Sequence, residues 1–131
     1  MRKAFSFGIN NYPTAPLNGC VNDTNDIANF IVSKCGFTPD EVRLLVNERA
    51  TTDAILERLN WLINVEPGSE LFFHHSCHGT QYAGRGSNQE IDGLLEVVCP
   101  WDFDWTERHM ITDKQLFSIF SRIPAGCKFI G

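Results

Sequence analysis

Long apolar runs are missing from this chain. No uninterrupted apolar stretch exceeds a few residues, far short of the about 20 that a membrane-spanning helix needs, so no membrane partner is expected. Positive charge is scarce, with 11 Lys and Arg against 16 Asp and Glu and a formal net charge of −5. That balance argues against a nucleic-acid partner, because a basic face supplies most of such affinity. No C-x-x-C pair occurs among Cys20, Cys35, Cys77, Cys99 and Cys127, which removes zinc ribbons and fingers. An odd number of cysteines without paired spacing is not a disulfide framework. Met1, Arg2 and Lys3 lead into Phe5, Ser6, Phe7 and Gly8, without the apolar region and small-residue cleavage site of a secretory signal. The expectation is a cytoplasmic protein with reduced thiols, most of them buried as small hydrophobes. Internal repeats, low-complexity tracts and linkers are absent as well, so 1–131 reads as a single domain.

Apolar material is plentiful. Hydrophobic residues make up 43% of the chain, with 10 Phe and 3 Trp among its 131 residues, enough for a core without disulfide staples. Residues 4–9 read as a strand closed by the turn cluster Asn10, Asn11, Tyr12 and Pro13. A helix is predicted over 22–33, with Asn22 as N-cap, Asp23 and Asp26 in its first turn, and Val21, Ile27, Phe30 and Ile31 near helical spacing. A second strand covers 41–46. Thr51 or Thr52 caps a second helix whose apolar face is Ile55, Leu56, Leu59, Leu62 and Ile63. Leu71, Phe72 and Phe73 open a strand apolar on both faces, as in a buried parallel sheet. Residues 79–89 read as a loop and 94–100 as a short β element. Thr112 or Asp113 caps a third helix carrying Leu116, Phe117, Ile119 and Phe120, and 127–130 begin a fourth strand with Cys127 buried in it. Alternating strands and helices predict an α/β fold: a mostly parallel sheet with helices on both faces. Ligands in such folds bind at the C-terminal strand edge, where the turns after Ile9 and His78 fall.

The candidate chemistry sits on that edge. His74, His75 and His78 leave the third strand in the run His74-His75-Ser76-Cys77-His78-Gly79-Thr80-Gln81. Strand alternation places His74, Ser76 and His78 on one side, with His75 and Cys77 on the other. A histidine entering a glycine turn suits general acid or base work, since the side chain ordinarily titrates near 6.5; a structural histidine bonded to a carbonyl is the plainer alternative. Cys77 and His78 point to opposite faces, which disfavours a nucleophile–base pair. A transition-metal site on His74 and His78, or on His75 and Cys77, would need a further ligand, for which His109 is the spare histidine. Asp23, in the run Asn18-Gly19-Cys20-Val21-Asn22-Asp23, either complements the helix dipole or accepts a cationic substrate group. Glu90, Asp92, Asp102, Asp104 and Asp113 form an acidic scatter without EF-hand spacing.

Taken together, the segments resemble the caspase-like cysteine peptidases, most closely the metacaspases. The matching runs are 4–10, 17–23, Gly36-Phe37, 67–73, 76–81, Asp92-Gly93, 100–103 and 111–113, in the family's order and across essentially the whole chain. The resemblance implies a caspase-like three-layer sandwich, incomplete on its C-terminal side. It also implies an endopeptidase cutting after Arg or Lys through a Cys-His dyad and a thioester. His78 matches the catalytic histidine, with the Gly79 N–H stabilising the oxyanion. Cys20, Asp23 and Ser76 match positions lining the pocket for the basic residue before the cut. The implied partners are protein or peptide substrates and a C-terminal segment carrying the nucleophile, since none of the five cysteines occupies its position. Cys127 matches the strand that precedes it, so the chain alone is expected to be inactive. No cofactor is required for the chemistry. Calcium is the implied activator, with Asp92 and Asp113 as its candidate ligands, although Thr112 replaces a common aspartate. Cys77 also departs from the family, which usually has glycine there. The alternative is a non-catalytic caspase-like module that binds partners.

Overall fold

The computed structural model describes residues 1–83 and 94–131; Glu90, Asp92 and Gly93 lie outside the described residues. Strands β1 (Arg2–Gly8), β2 (Val42–Val46), β3 (Glu70–Ser76) and β7 (Lys128–Ile130) form one parallel sheet in the order β2-β1-β3-β7. β1 is central, and Ala4 to Gly8 are all buried. A strand covered on both faces needs no polar alternation, which is why Phe5 and Phe7 can share it with Ala4 and Ser6.

Odd and even residues of β1 serve different helices. Ala4 packs with Ile31 of α1 (Cys20–Lys34) and with Phe37. Phe5 and Phe7 face the other way, joining Leu45, Phe73, the Ile55, Leu59, Leu62 and Ile63 stripe of α2 (Thr52–Ile63), and Ile119 of α3 (Asp113–Phe120). One helix on one face and two on the other give the three layers read from the alternation of elements. Thr51 caps α2 by accepting the Ala54 N–H at 3.3 Å, and Thr112 with Gln115 forms a reciprocal capping box on α3.

Several expectations are corrected. The stretch from 79 is not all loop: β4 (Gly79–Tyr82) pairs antiparallel with β5 (Leu95–Val98), which pairs with β6 (Ile111–Thr112). The polar composition of β4 hid a strand that its partner organises, and the ladder continues in side chains through Gln81 and Glu96 at 3.0 Å. Helix α1 begins at Cys20 instead of Asn22, after Gly19 in the left-handed region at φ 87°. Phe30 and Phe117 are exposed, because the buried stripes of α1 and α3 run through Ile31 and Ile119 instead. Only Cys20 and Cys99 are buried; Cys77 and Cys127 are half-buried and Cys35 is exposed. Cys127 precedes β7 and is not buried in the sheet, because Gly126 turns the chain at φ 77° and the strand starts at Lys128. Its thiol donates to the Glu66 carbonyl at 3.6 Å.

Candidate active site

The C-terminal edge of the sheet is tied together by side chains of the preceding turns. Asn47, in the left-handed region at φ 53°, accepts the backbone N–H groups of Asn10 at 2.9 Å and Asn11 at 3.2 Å, joining the ends of β1 and β2. The Asn10 side-chain carbonyl then accepts the N–H groups of Cys20 and Val21, at 2.9 and 3.3 Å. It therefore caps α1 from ten residues upstream, where Gly19 has no side chain to do so. Gly8 lets α1 approach this closely: a Cβ there would collide with the Cys20 carbonyl and the Thr24 hydroxyl.

This packing fixes both sides of the predicted site. On the α1 face, the Ser76 hydroxyl donates to Asp23 Oδ2 at 2.9 Å, so two of the three predicted pocket residues touch. Cys20 lies buried at the start of the same helix. Asp23 itself is exposed in the first turn of α1. His74 shares that face, with Nδ1 2.9 Å from the Ser6 hydroxyl. Burial lowers its pKa, with the Asp23 carboxylate pulling the other way.

His78 lies between β3 and β4, separated from the end of β3 by Cys77. Its backbone N–H donates to the Tyr12 hydroxyl at 3.0 Å, and that hydroxyl donates to the Cys99 carbonyl at 2.6 Å. The imidazole lies against the Tyr12 ring, 4.7 Å between centroids. Its Nε2 is 2.7 Å from the Ala15 carbonyl. A carbonyl only accepts, so Nε2 carries a hydrogen and Nδ1 is left to exchange a proton. Tyr12 was legible only as part of a turn cluster and Ala15 not at all; the proline after Tyr12 signalled the bend, not its hold on the histidine.

The alternatives fare worse. Burial pushes the Cys77 thiol up to about 12, unsuited to a thiolate nucleophile. Its sulfur lies 3.6 Å from His75 Nδ1, away from His78. Among the described residues no group of three or more His, Cys, Asp or Glu side chains could hold a metal ion. Asp102 accepts from the Thr52 N–H and hydroxyl, and Asp104 from Thr106 and His109. Asp113 stands exposed in the first turn of α3. Asp92, the other aspartate implied for calcium, lies outside the described residues.

Parallel sheet, helices on both faces and a histidine at the edge define a caspase-like α/β fold. The metacaspase peptidase C14 domain model matches residues 2–131. Metacaspase-1 of Mycosarcoma maydis is 34% identical over 97% of this chain and 33% of its own length. Metacaspase-1 of Cryptococcus neoformans is 30% identical over 97% of this chain and 29% of its own. A crystal structure of a Geobacter sulfurreducens protein superposes with a TM-score of 0.77 at 25% identity, covering 98% of this chain and 47% of that one. The chain belongs to the metacaspase family of cysteine peptidases, and it spans about a third of the length of these curated relatives.

Proposed function

We propose that this chain is the histidine-bearing part of an endopeptidase that cuts proteins after Arg or Lys, with His78 and an incoming thiol as its dyad. The placement of His78 carries the reading: it lies between the end of β3, where Ser76 pairs with Asp23, and the start of β4, and its Nε2 is anchored on the Ala15 carbonyl. The sheet register supports a position for the thiol. β7 pairs with β3 as far as Ile130 beside Phe72. Continued one for one, that parallel register brings a residue a few positions past Gly131 level with His78. Asp23 supplies the charge for a guanidinium or ammonium before the cut and repels an acidic residue there.

In this reading, His78 Nδ1 takes the thiol proton and the thiolate attacks the peptide carbonyl. The Gly79 N–H and that of the nucleophile stabilise the oxyanion. Imidazolium returns the proton to the leaving amine. His78 then deprotonates a water, which hydrolyses the thioester and restores the thiol. Calcium activation through Asp92 and Asp113 rests on the family resemblance. The caspase-like binding module is the weaker reading, since pure binding gives no reason to hold a histidine tautomer.

The test uses the full-length protein with fluorogenic peptides carrying Arg, Lys or Asp before the cut. His78→Ala should lower kcat by about 10²–10⁴-fold or more; unchanged turnover removes the dyad. Asp23→Ala should raise KM for Arg peptides, and undiminished discrimination between Arg and Asp would reject the pocket.

A further inference from the structure

The cleft at His78 has a second wall that the dyad and the basic pocket do not use. About 300 Å³ in volume, it is lined by the turn from Tyr12 to Ala15, by His78, Gly79 and Thr80, and by Cys99, Trp101, Phe103 and Trp105. No Asp, Glu, Lys or Arg side chain is among the lining residues. Each aromatic ring is held in place. The Trp101 indole donates to the Asn11 carbonyl at 3.1 Å, and its backbone N–H to the Ala50 carbonyl at 2.9 Å. Phe103 and Trp105 pack ring to ring, 4.9 Å between centroids.

Trp105 is the anomaly. It is 59% exposed yet sits at φ 69°, a region in which a bulky side chain is an outlier. The surrounding segment fixes it: Asp102 is bonded to Thr52, and Asp104 to Thr106 and His109. A strained backbone that displays an apolar ring to solvent adds nothing to the core, and such strain clusters where ligands are held.

The cleft lies across the sheet from the basic pocket. Tyr12, Cys99, Trp101 and Phe103 belong to the core cluster on the α2 and α3 face, whereas Asp23 and Ser76 stand on the α1 face, and His78 lines the cleft against the Tyr12 ring. Because His78 and Gly79 line this cleft and Asp23 does not, a peptide with its basic residue on Asp23 and its scissile bond at His78 has the cleft open to the residue after the cut.

We propose that Trp101, Phe103 and Trp105 form a subsite for an aromatic or large aliphatic side chain on the amine side of the cut. The inference rests on the peptidase reading and adds a second specificity to it. An apolar side chain gains contact on both ring faces, while a carboxylate would be desolvated there without a partner.

The test compares kcat/KM of the full-length protein on internally quenched peptides that vary only after the cut: Arg-Phe, Arg-Leu, Arg-Ala and Arg-Glu. Phe and Leu should exceed Ala by about tenfold, the effect of a few buried methylenes, with Glu below Ala. Trp105→Ala should bring the Phe-to-Ala ratio close to one and Trp105→Phe should restore most of it, while Phe117→Ala on the exposed side of α3 leaves the ratio unchanged. Equal rates across the four peptides, or a ratio indifferent to Trp105→Ala, overturn the subsite while leaving the peptidase reading intact. Loss of the requirement for Arg before the cut, or absence of all cleavage, overturns both.

Discussion

At the residue scale, Tyr12 decides how His78 is presented. Its hydroxyl accepts the His78 N–H and donates to the Cys99 carbonyl, and the side chain is 8% exposed. Tyr12→Phe keeps the ring and removes the only oxygen joining the two groups. One buried donor and one buried acceptor then lose their partner, which costs about 1–3 kcal/mol. The backbone that aims the imidazole loosens with them, and kcat should fall by about tenfold or more while KM changes little. Denaturant midpoints and steady-state kinetics on an Arg peptide measure the two effects. A variant as stable and as fast as the parent would mean that Ala15 and the strand alone hold the histidine. Asp23 is the contrasting case, exposed and bonded to Ser76, so Asp23→Ala should leave stability nearly unchanged and move KM.

At the scale of elements, α1 depends on a residue outside it. Asn10 accepts from Cys20 and Val21 across ten positions, so Asn10→Ala should destabilise the fold by about 0.5–2 kcal/mol, the usual cost of losing a cap. Asn22→Ala, the cap suggested by sequence, should cost less, because Asn22 lies exposed within the helix; urea titration of both variants gives the order, and a reversed order would return the capping role to Asn22. The comparison shows which features local sequence carries. β1, β2, β3, α2 and α3 were legible because their apolar spacing and their Thr51 and Thr112 caps lie within the element itself. The position of Asp23, Ser76 and His78 at the C-terminal edge was legible too, but alternation ends with β3 at Ser76 and does not set where the His78 ring lies. The Asn10 cap, the Tyr12 bridge and strand β4 were not legible. Each is set by a partner distant in the chain: Cys20 for Asn10, Cys99 for Tyr12, Val97 for Thr80. Exposed Phe30 and Phe117 misled for the opposite reason, since helical spacing marks a stripe without saying how wide its cover is.

At the scale of the whole molecule, the weakly acidic side chains packed beneath the site make stability respond to alkali. Burial pushes the Cys77 thiol up to about 12 and the Cys99 thiol up to about 11, and it raises the Tyr12 phenol as well. All three are neutral when protonated, so in the unfolded chain they release protons at lower pH than in the folded one. Above about pH 9 the unfolded state binds fewer protons, and stability falls as pH rises. Their contribution is fully present below the unfolded values and is lost between about pH 9 and 12. Lys3 opposes them: burial and Arg43 lower its pKa, so rising pH relieves a penalty there. Its ammonium donates to the Trp61 and Asn64 carbonyls at 2.8 and 3.0 Å, which keeps the protonated form partnered and that relief small. Three groups against one give a net fall, and the urea midpoint of the full-length protein should drop steadily from pH 9 to 11. Replacing Cys77 and Cys99 together with Ala removes two of the three groups, so the double variant should start from a lower midpoint and decline less steeply over the same interval. An undiminished slope would place the alkaline sensitivity outside the layer that joins Tyr12 to the end of β3.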